Sequence, residues 1–179
     1  MSLPDSEPLG LYLAAAQWAV DAHDGQRRKS GQPYVLHPLR VASRILWSPL
    51  EIDERHTALI AAILHDTLED TDLPRERIHD RFGEQVLSVV VELTQDPSLP
   101  KEARRQKMID ECGGYSRVAK VVKLADRWDN LTELENMSEE FITRYCREAT
   151  QMVEAMRGTW LAAERAIEEI VEQQRGGGR

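Results

Sequence analysis

The chain has 179 residues, 41% hydrophobic and 30% charged, enough for one domain whose core needs neither disulfides nor a structural metal to fold. The net charge of -8 argues against a nucleic-acid binder, because phosphate-backbone affinity needs a broad basic surface. It leaves room for a small anionic ligand held by a local basic patch.

The first ten residues, Met1 to Gly10, lack the basic start and apolar core of a signal peptide. No apolar run is long enough to span a bilayer, so no membrane partner is expected. Leu11, Ala14, Ala15, Trp18, Ala19 and Ala22 recur at helical spacing and predict a first helix from about Leu9 to Asp24. A glycine-flanked basic loop follows, Gly25 to Pro33. Pro38 starts a second helix that ends near Ser48-Pro49, with His37 just ahead of it. Asp53 is the expected N-cap of a third helix, apolar all round from Ala58 to Leu64 and so the most buried. Pro74 opens the next helical stretch, which Gly83 splits into two. Asp96 to Pro100 reads as a loop, and Glu102 to Cys112 as a polar helix ending at Gly113-Gly114. Ser116 caps a long helix through Leu131, and Ser138 starts another to about Met156. A last amphipathic helix reaches Gln174, and residues 175–179 form a flexible tail. The expectation is an all-α bundle of one domain, with a C-terminal pair of helices that packs on the core and offers a second choice as a homo-oligomer contact. Cys112 and Cys146 form no C-x-x-C pair and read as reduced thiols of a cytoplasmic protein.

The chemistry concentrates in Leu64-His65-Asp66-Thr67-Leu68-Glu69-Asp70. A buried helix that runs into a histidine and three carboxylates needs a partner for that polarity, and a divalent metal is the simplest. On a helix His65 and Asp66 converge from about 100° apart, while Glu69 and Asp70 lie about 6 Å further along the axis, within reach of a water. Asp126 follows the core-like Val121-Val122-Lys123-Leu124-Ala125, with Asn130 one turn on; alone, it would pair with Lys123 or Arg127. His37 ends another apolar run. Two imidazoles and two carboxylates suit manganese, iron or zinc better than calcium.

These residues fall into four ordered motifs. They are Ala22-His23-x-Gly25-Gln26-x-Arg28-Lys29-Ser30-Gly31-x-Pro33-Tyr34-x-x-His37-Pro38-Leu39-x-Val41-Ala42, Ala61-Ala62-x-Leu64-His65-Asp66-Thr67-x-Glu69-Asp70-Thr71, Phe82-Gly83-x-x-Val86, and Lys123-Leu124-Ala125-Asp126-Arg127-x-x-Asn130-Leu131. Together the set, spanning about Leu11 to Leu134, resembles the RelA/SpoT-type guanosine-3′,5′-bis(diphosphate) hydrolases of the HD superfamily. The resemblance implies an all-α fold and one metal, usually manganese. It assigns ligand roles to His37, His65, Asp66 and Asp126, water activation to Glu69 and Asp70, and substrate contact to Arg28 and Asn130, with Lys29 and Ser30 nearby. It implies removal of the 3′-pyrophosphate from (p)ppGpp, giving GDP or GTP and pyrophosphate, by a stand-alone hydrolase domain without a synthetase.

The chain departs from the family pattern at Trp128-Asp129 and at Thr132-Glu133, where Glu133 puts negative charge near an anionic substrate. Those departures motivate a second reading, a hydrolase of another nucleotide such as NADPH or a nucleoside phosphate. A third is a non-catalytic nucleotide-binding module. Trp128 is expected in the core, His23 in a structural hydrogen bond, His56 and His79 in solvent, and Arg104, Arg105 and Lys107 on a solvated face.

Overall fold

A computed structural model describes residues 7–176; the outer residues of both terminal segments discussed above, 1–6 and 177–179, lie outside it. The helices are α1 (Pro8–Ala22), α2 (Leu36–Ile45), α3 (Ile52–Leu64), α4 (Thr67–Asp70), α5 (Arg75–Phe82), α6 (Glu84–Leu93), α7 (Lys101–Glu111), α8 (Arg117–Leu131), α9 (Glu139–Ala155) and α10 (Leu161–Gly176). Among the described residues the extended pairing is one isolated bridge, Arg27 with Pro33, inside the basic loop. The bundle is all-α.

Helix α3 packs on α1, α2, α6 and α8. Its buried Ala58 and Ile60 to Leu64 make it a central rod, as expected. It shares the centre with α8, buried from Val121 through Arg127 and again at Asp129 and Leu131. One apolar core runs from Ala15 on α1 to Val171 on α10. Met152, Met156, Trp160 and Ile167 of the last two helices are buried in it, so these helices pack as predicted. Trp128 meets Trp160 edge-on at 6.1 Å between ring centres.

Helix ends follow local chemistry. Ser116 and Ser138 accept hydrogen bonds from Ala119 N–H and Phe141 N–H, caps worth about 1 kcal/mol each. Gly83, at φ 84°, divides α5 from α6 in a conformation costly for any other residue. Several boundaries differ from expectation, among them the ends of α1 and α2, at Ala22 and Ile45 rather than near Asp24 and Ser48-Pro49. Helix α3 starts two residues early, where Glu51 rather than Asp53 is the N-cap and its N–H donates to Glu54 at 3.4 Å; the first turn carries no buried apolar residue for periodicity to detect. Helix α2 starts at Leu36, so His37 lies inside its first turn, where Pro38 is tolerated because that N–H has no helical partner. Pro74 is the N-cap of α5, not its first residue.

The turn into α10 depends on Glu164, 1% exposed, which accepts from Gly158 N–H at 3.2 Å and Trp160 N–H at 2.9 Å. Glu164→Ala leaves the buried Trp160 N–H unpaired and removes the partner of Gly158 N–H, and should lower the urea unfolding free energy by about 1–3 kcal/mol. Glu164→Gln keeps the acceptor and should lose less.

Candidate metal centre and nucleotide pocket

The central motif does not continue the helix. Helix α3 stops at Leu64, the chain turns at His65-Asp66, and α4 restarts at Thr67. The last carbonyls of α3 find side-chain donors: His65 Nδ1–H donates to Ala62 O at 2.8 Å and Thr67 Oγ1–H to Leu64 O at 2.7 Å. Thr67 is fully buried. His65 and Asp66 keep right-handed helical backbone angles through this turn, and their side chains meet at the cluster.

Four side chains converge there from three places in the chain. His37, His65 and Asp126 each offer a ligand atom within 4.8 Å of the others. His37 Nε2 lies 3.2 Å from Asp126 Oδ1 and 3.7 Å from Asp66 Oδ2. His65 Nε2 lies 3.2 Å from Asp66 Oδ2 and 3.8 Å from Asp126 Oδ1. Ligand atoms around a small divalent ion sit roughly 3–3.5 Å apart, given bond lengths of about 2.0–2.2 Å.

The residues fit a metal on two further observations. Both imidazoles commit Nδ1 outward, His65 to Ala62 O and His37 to Asp129 Oδ2 at 2.8 Å. That leaves each Nε2 lone pair facing the cluster, the arrangement in which a ligating histidine is held. And His65 Nε2 is buried without a hydrogen-bond partner. The electrostatics agree. Burial works against charge on His65, yet Asp66 and Asp126 override it and push its pKa up to about 10. Burial likewise opposes charge on Asp126, but Lys123 and the two histidines hold it well below the usual carboxylate range. The cluster draws positive charge, and a divalent cation would supply it in place of protons.

A second layer fixes these groups. Lys123 donates to Asp126 Oδ2 at 3.0 Å, the pairing expected from sequence; Arg127 turns instead toward Glu148. Asn130 donates to Asp126 Oδ1 and accepts from Arg28 at 2.7 Å. Tyr34 has its hydroxyl 2.7 Å from Asp66 Oδ2 and 3.1 Å from Asp70 Oδ2. Burial and these carboxylates raise its pKa far above the ordinary value, so it remains a proton donor. Asp129, fully buried, binds His37 and is neutralised by Arg40 at 3.0 Å and Arg44 at 3.2 Å. Burial raises its pKa, but His37 and Arg40 bring it down to about 2.

Glu69 and Asp70 stand beside the cluster. Glu69 accepts from Gln95 N–H at 3.1 Å and faces Arg104 at 3.6 Å. Burial pushes both carboxyls up, and the Asp66 charge adds to it, which makes them stronger bases.

The cluster opens into an inner pocket of about 280 Å³ that contains His37, Asp66, Glu69, Asp70 and Asp126. An outer pocket of about 420 Å³ adjoins it; Arg28, Tyr34, Lys101, Asn130, Phe141 and Tyr145 line both. Lys29 and Ser30 lie on the outer pocket, with Lys29 Nζ 4.4 Å above the Phe141 ring. Arg28 donates to Glu133 at 2.9 Å, and Glu133 also pairs with Arg40. Glu133 is therefore a neutralised partner of Arg28, not the free negative charge expected from sequence.

Other residues sort as follows. His23 bonds Gln26 at 2.8 Å beside the basic loop, as expected. His79 is exposed, but His56 is half-buried, stacked on Tyr12 and hydrogen-bonded to it. Lys107 is exposed, whereas Arg104 and Arg105 are half-buried and line the inner pocket. Sequence reasoning missed Tyr34, Arg40, Arg44 and Asp129 as parts of the site. One signal was present: Asp126, Asp129 and Asn130 are spaced to share one face of α8.

The HD-domain family profile matches residues 15–155. The chain belongs to the HD-domain family. It is 40% identical over 161 residues to a protein of Xenopus tropicalis named guanosine-3′,5′-bis(diphosphate) 3′-pyrophosphohydrolase MESH1, covering 86% of this chain and 89% of that one. The human protein of the same name is 39% identical over 168 residues, 90% and 93% of the two chains. A solved structure described as a metazoan ortholog of SpoT that hydrolyzes ppGpp superposes with a TM-score of 0.85 at 31% identity, covering 97% of this chain and 98% of that one. The resemblance seen in the motifs is thus one of whole-chain sequence and structure.

If Asp129 orients His37, Asp129→Asn should weaken retention of a divalent metal about 10–100-fold in competition with a chelator. Circular dichroism should show the helical fold retained.

Proposed function

We propose that this HD-family hydrolase removes the 3′-pyrophosphate of (p)ppGpp, returning GDP or GTP and pyrophosphate. The observation that carries the reading is the convergence of His37, His65 and Asp126, with Asp66 against both imidazoles, beside two carboxylates of raised pKa, in a pocket continuous with a basic, aromatic one. The names of the relatives agree with it.

His37, His65, Asp66 and Asp126 would hold the metal, and their mixed nitrogen and oxygen donors favour manganese over calcium. When bound, it supplies Lewis-acid chemistry that acidifies a water and offsets phosphate charge. Glu69 and Asp70 would orient that water, and one of the two would take its proton, a task their burial suits. Tyr34 holds Asp66 and Asp70 in register. Arg28, aligned by Asn130 and Glu133, presents a planar cation to the base or phosphates. Lys29 and Ser30 flank the outer pocket, which would receive the nucleoside.

The same reading covers the rest of the chain. One contiguous core supports a single hydrolase domain. Two buried free thiols, Cys112 and Cys146, suit a reducing compartment such as the cytoplasm, and among the described residues no helix is long and apolar enough to cross a membrane. The net charge of -8 suits a small nucleotide better than a nucleic acid.

Purified protein with manganese and ppGpp should release GDP and pyrophosphate. Glu69→Gln and Asp70→Asn should each lower kcat about 10²–10⁴-fold while the metal stays bound. His65→Ala should lose metal and turnover together. A panel with NADPH and nucleoside monophosphates tests the substrate: faster turnover of one of those would replace ppGpp in this assignment.

A further inference from the structure

The inner pocket carries more positive charge than the proposed reaction has used. Arg104, Arg105, Arg127 and Arg144 all line it. In each, Nε–H is buried without a hydrogen-bond acceptor, and in Arg127 Nη1 is as well. Buried N–H groups find partners in about nine cases of ten, so this concentration of open donors calls for an acceptor.

Three of these side chains surround one carboxylate where α7, α8 and α9 meet. Glu148 lies 3.6 Å from Arg105 Nε, 4.0 Å from Arg127 Nη1 and 3.4 Å from Arg144 Nε. At 3.6 and 4.0 Å the Arg105 and Arg127 contacts exceed hydrogen-bond length, and the 3.4 Å Arg144 contact stands at its outer limit without forming one. Glu148 offsets part of the charge and leaves the donors open. Arg105 also reaches Glu102 at its outer end. Arg127, 5% exposed, lies 4.0 Å above the Tyr145 ring, which fixes the plane of its guanidinium. One carboxylate placed at these distances satisfies none of the open Nε–H groups. A diphosphate offers many more oxygens and at least two negative charges, and guanidinium forks match phosphate geometry.

We propose that Arg105, Arg127 and Arg144, gathered around Glu148, form a diphosphate-binding subsite of the inner pocket, distinct from the metal ligands. Glu148 is its resident counter-charge, balancing the guanidiniums until the oxyanion arrives. The choice of diphosphate rests on the reading of function above: it is either the 3′-diphosphate that is released or the 5′-diphosphate that is retained. The binding chemistry is the same in both cases.

Calorimetry on the protein as purified, with inorganic pyrophosphate and with GDP as separate probes, tests the subsite. Arg105→Ala and Arg144→Ala, at half-buried positions, should each weaken the relevant probe roughly ten-fold, the loss of a charge-assisted hydrogen bond. Glu148→Gln should tighten it by removing a competing anion. Loss for pyrophosphate alone assigns the released group, and loss for GDP alone assigns the retained one. If the three residues are only a clamp between helices, urea unfolding midpoints fall while both affinities stay at the wild-type value, and the proposal is overturned. Turnover of ppGpp is scored separately. Arginine-dependent pyrophosphate binding without turnover sinks the assigned reaction and keeps the subsite. Turnover with unaltered affinities in the variants does the reverse.

Discussion

The buried meeting of two imidazoles with two carboxylates is the constraint on which the rest of the structure depends. Unit charges about 4 Å apart interact by about 4 kcal/mol even at an effective dielectric of about 20. A group such as His37, His65, Asp66 and Asp126, packed at 3.2–3.8 Å, is therefore tolerable only when its charge is balanced by protons or by a cation. The raised histidine and lowered aspartate pKa values are that balance expressed in protons.

Two features of the fold serve this meeting. Central helices α3 and α8 pack against each other and against α2, so the end of α3, the first turn of α2 and the last turns of α8 reach one point. Around that point, neighbours are used twice. Asp129 orients His37 while gathering Arg40 and Arg44. Glu133 aligns Arg28 and shares Arg40. Charges that look unfavourable in isolation are paired, and the pairing leaves the inner pocket with guanidinium donors open rather than carboxylates.

Much of this was legible in the chain. Polar residues closing apolar runs at His37, His65 and Asp126 marked themselves by their cost, since such groups are seldom buried without a partner. Gly83 and the serine caps at 116 and 138 act through backbone geometry that reaches only a few residues, so they could be read in place. Less legible was the break at His65-Asp66, which depends on His65 and Thr67 capturing carbonyls of α3. A helical pattern extends smoothly through it. The half-buried state of Arg104 and Arg105 was also hidden, because their spacing on a polar helix is that of any solvated face.

By itself, the sequence determined the all-α class, the positions of the main helices and the identities of the converging residues, because periodicity, capping and polarity are properties of short stretches. Only the tertiary structure decided their partners. Asp129 lies 92 residues from His37 along the chain and Glu133 lies 105 from Arg28, and no local pattern states which distant charge a side chain will meet. Whether Glu133 repels an anion or holds an arginine, and whether Arg127 answers Asp126 or Glu148, is set by packing. That packing turned a list of plausible ligands into a centre with an outer and an inner pocket.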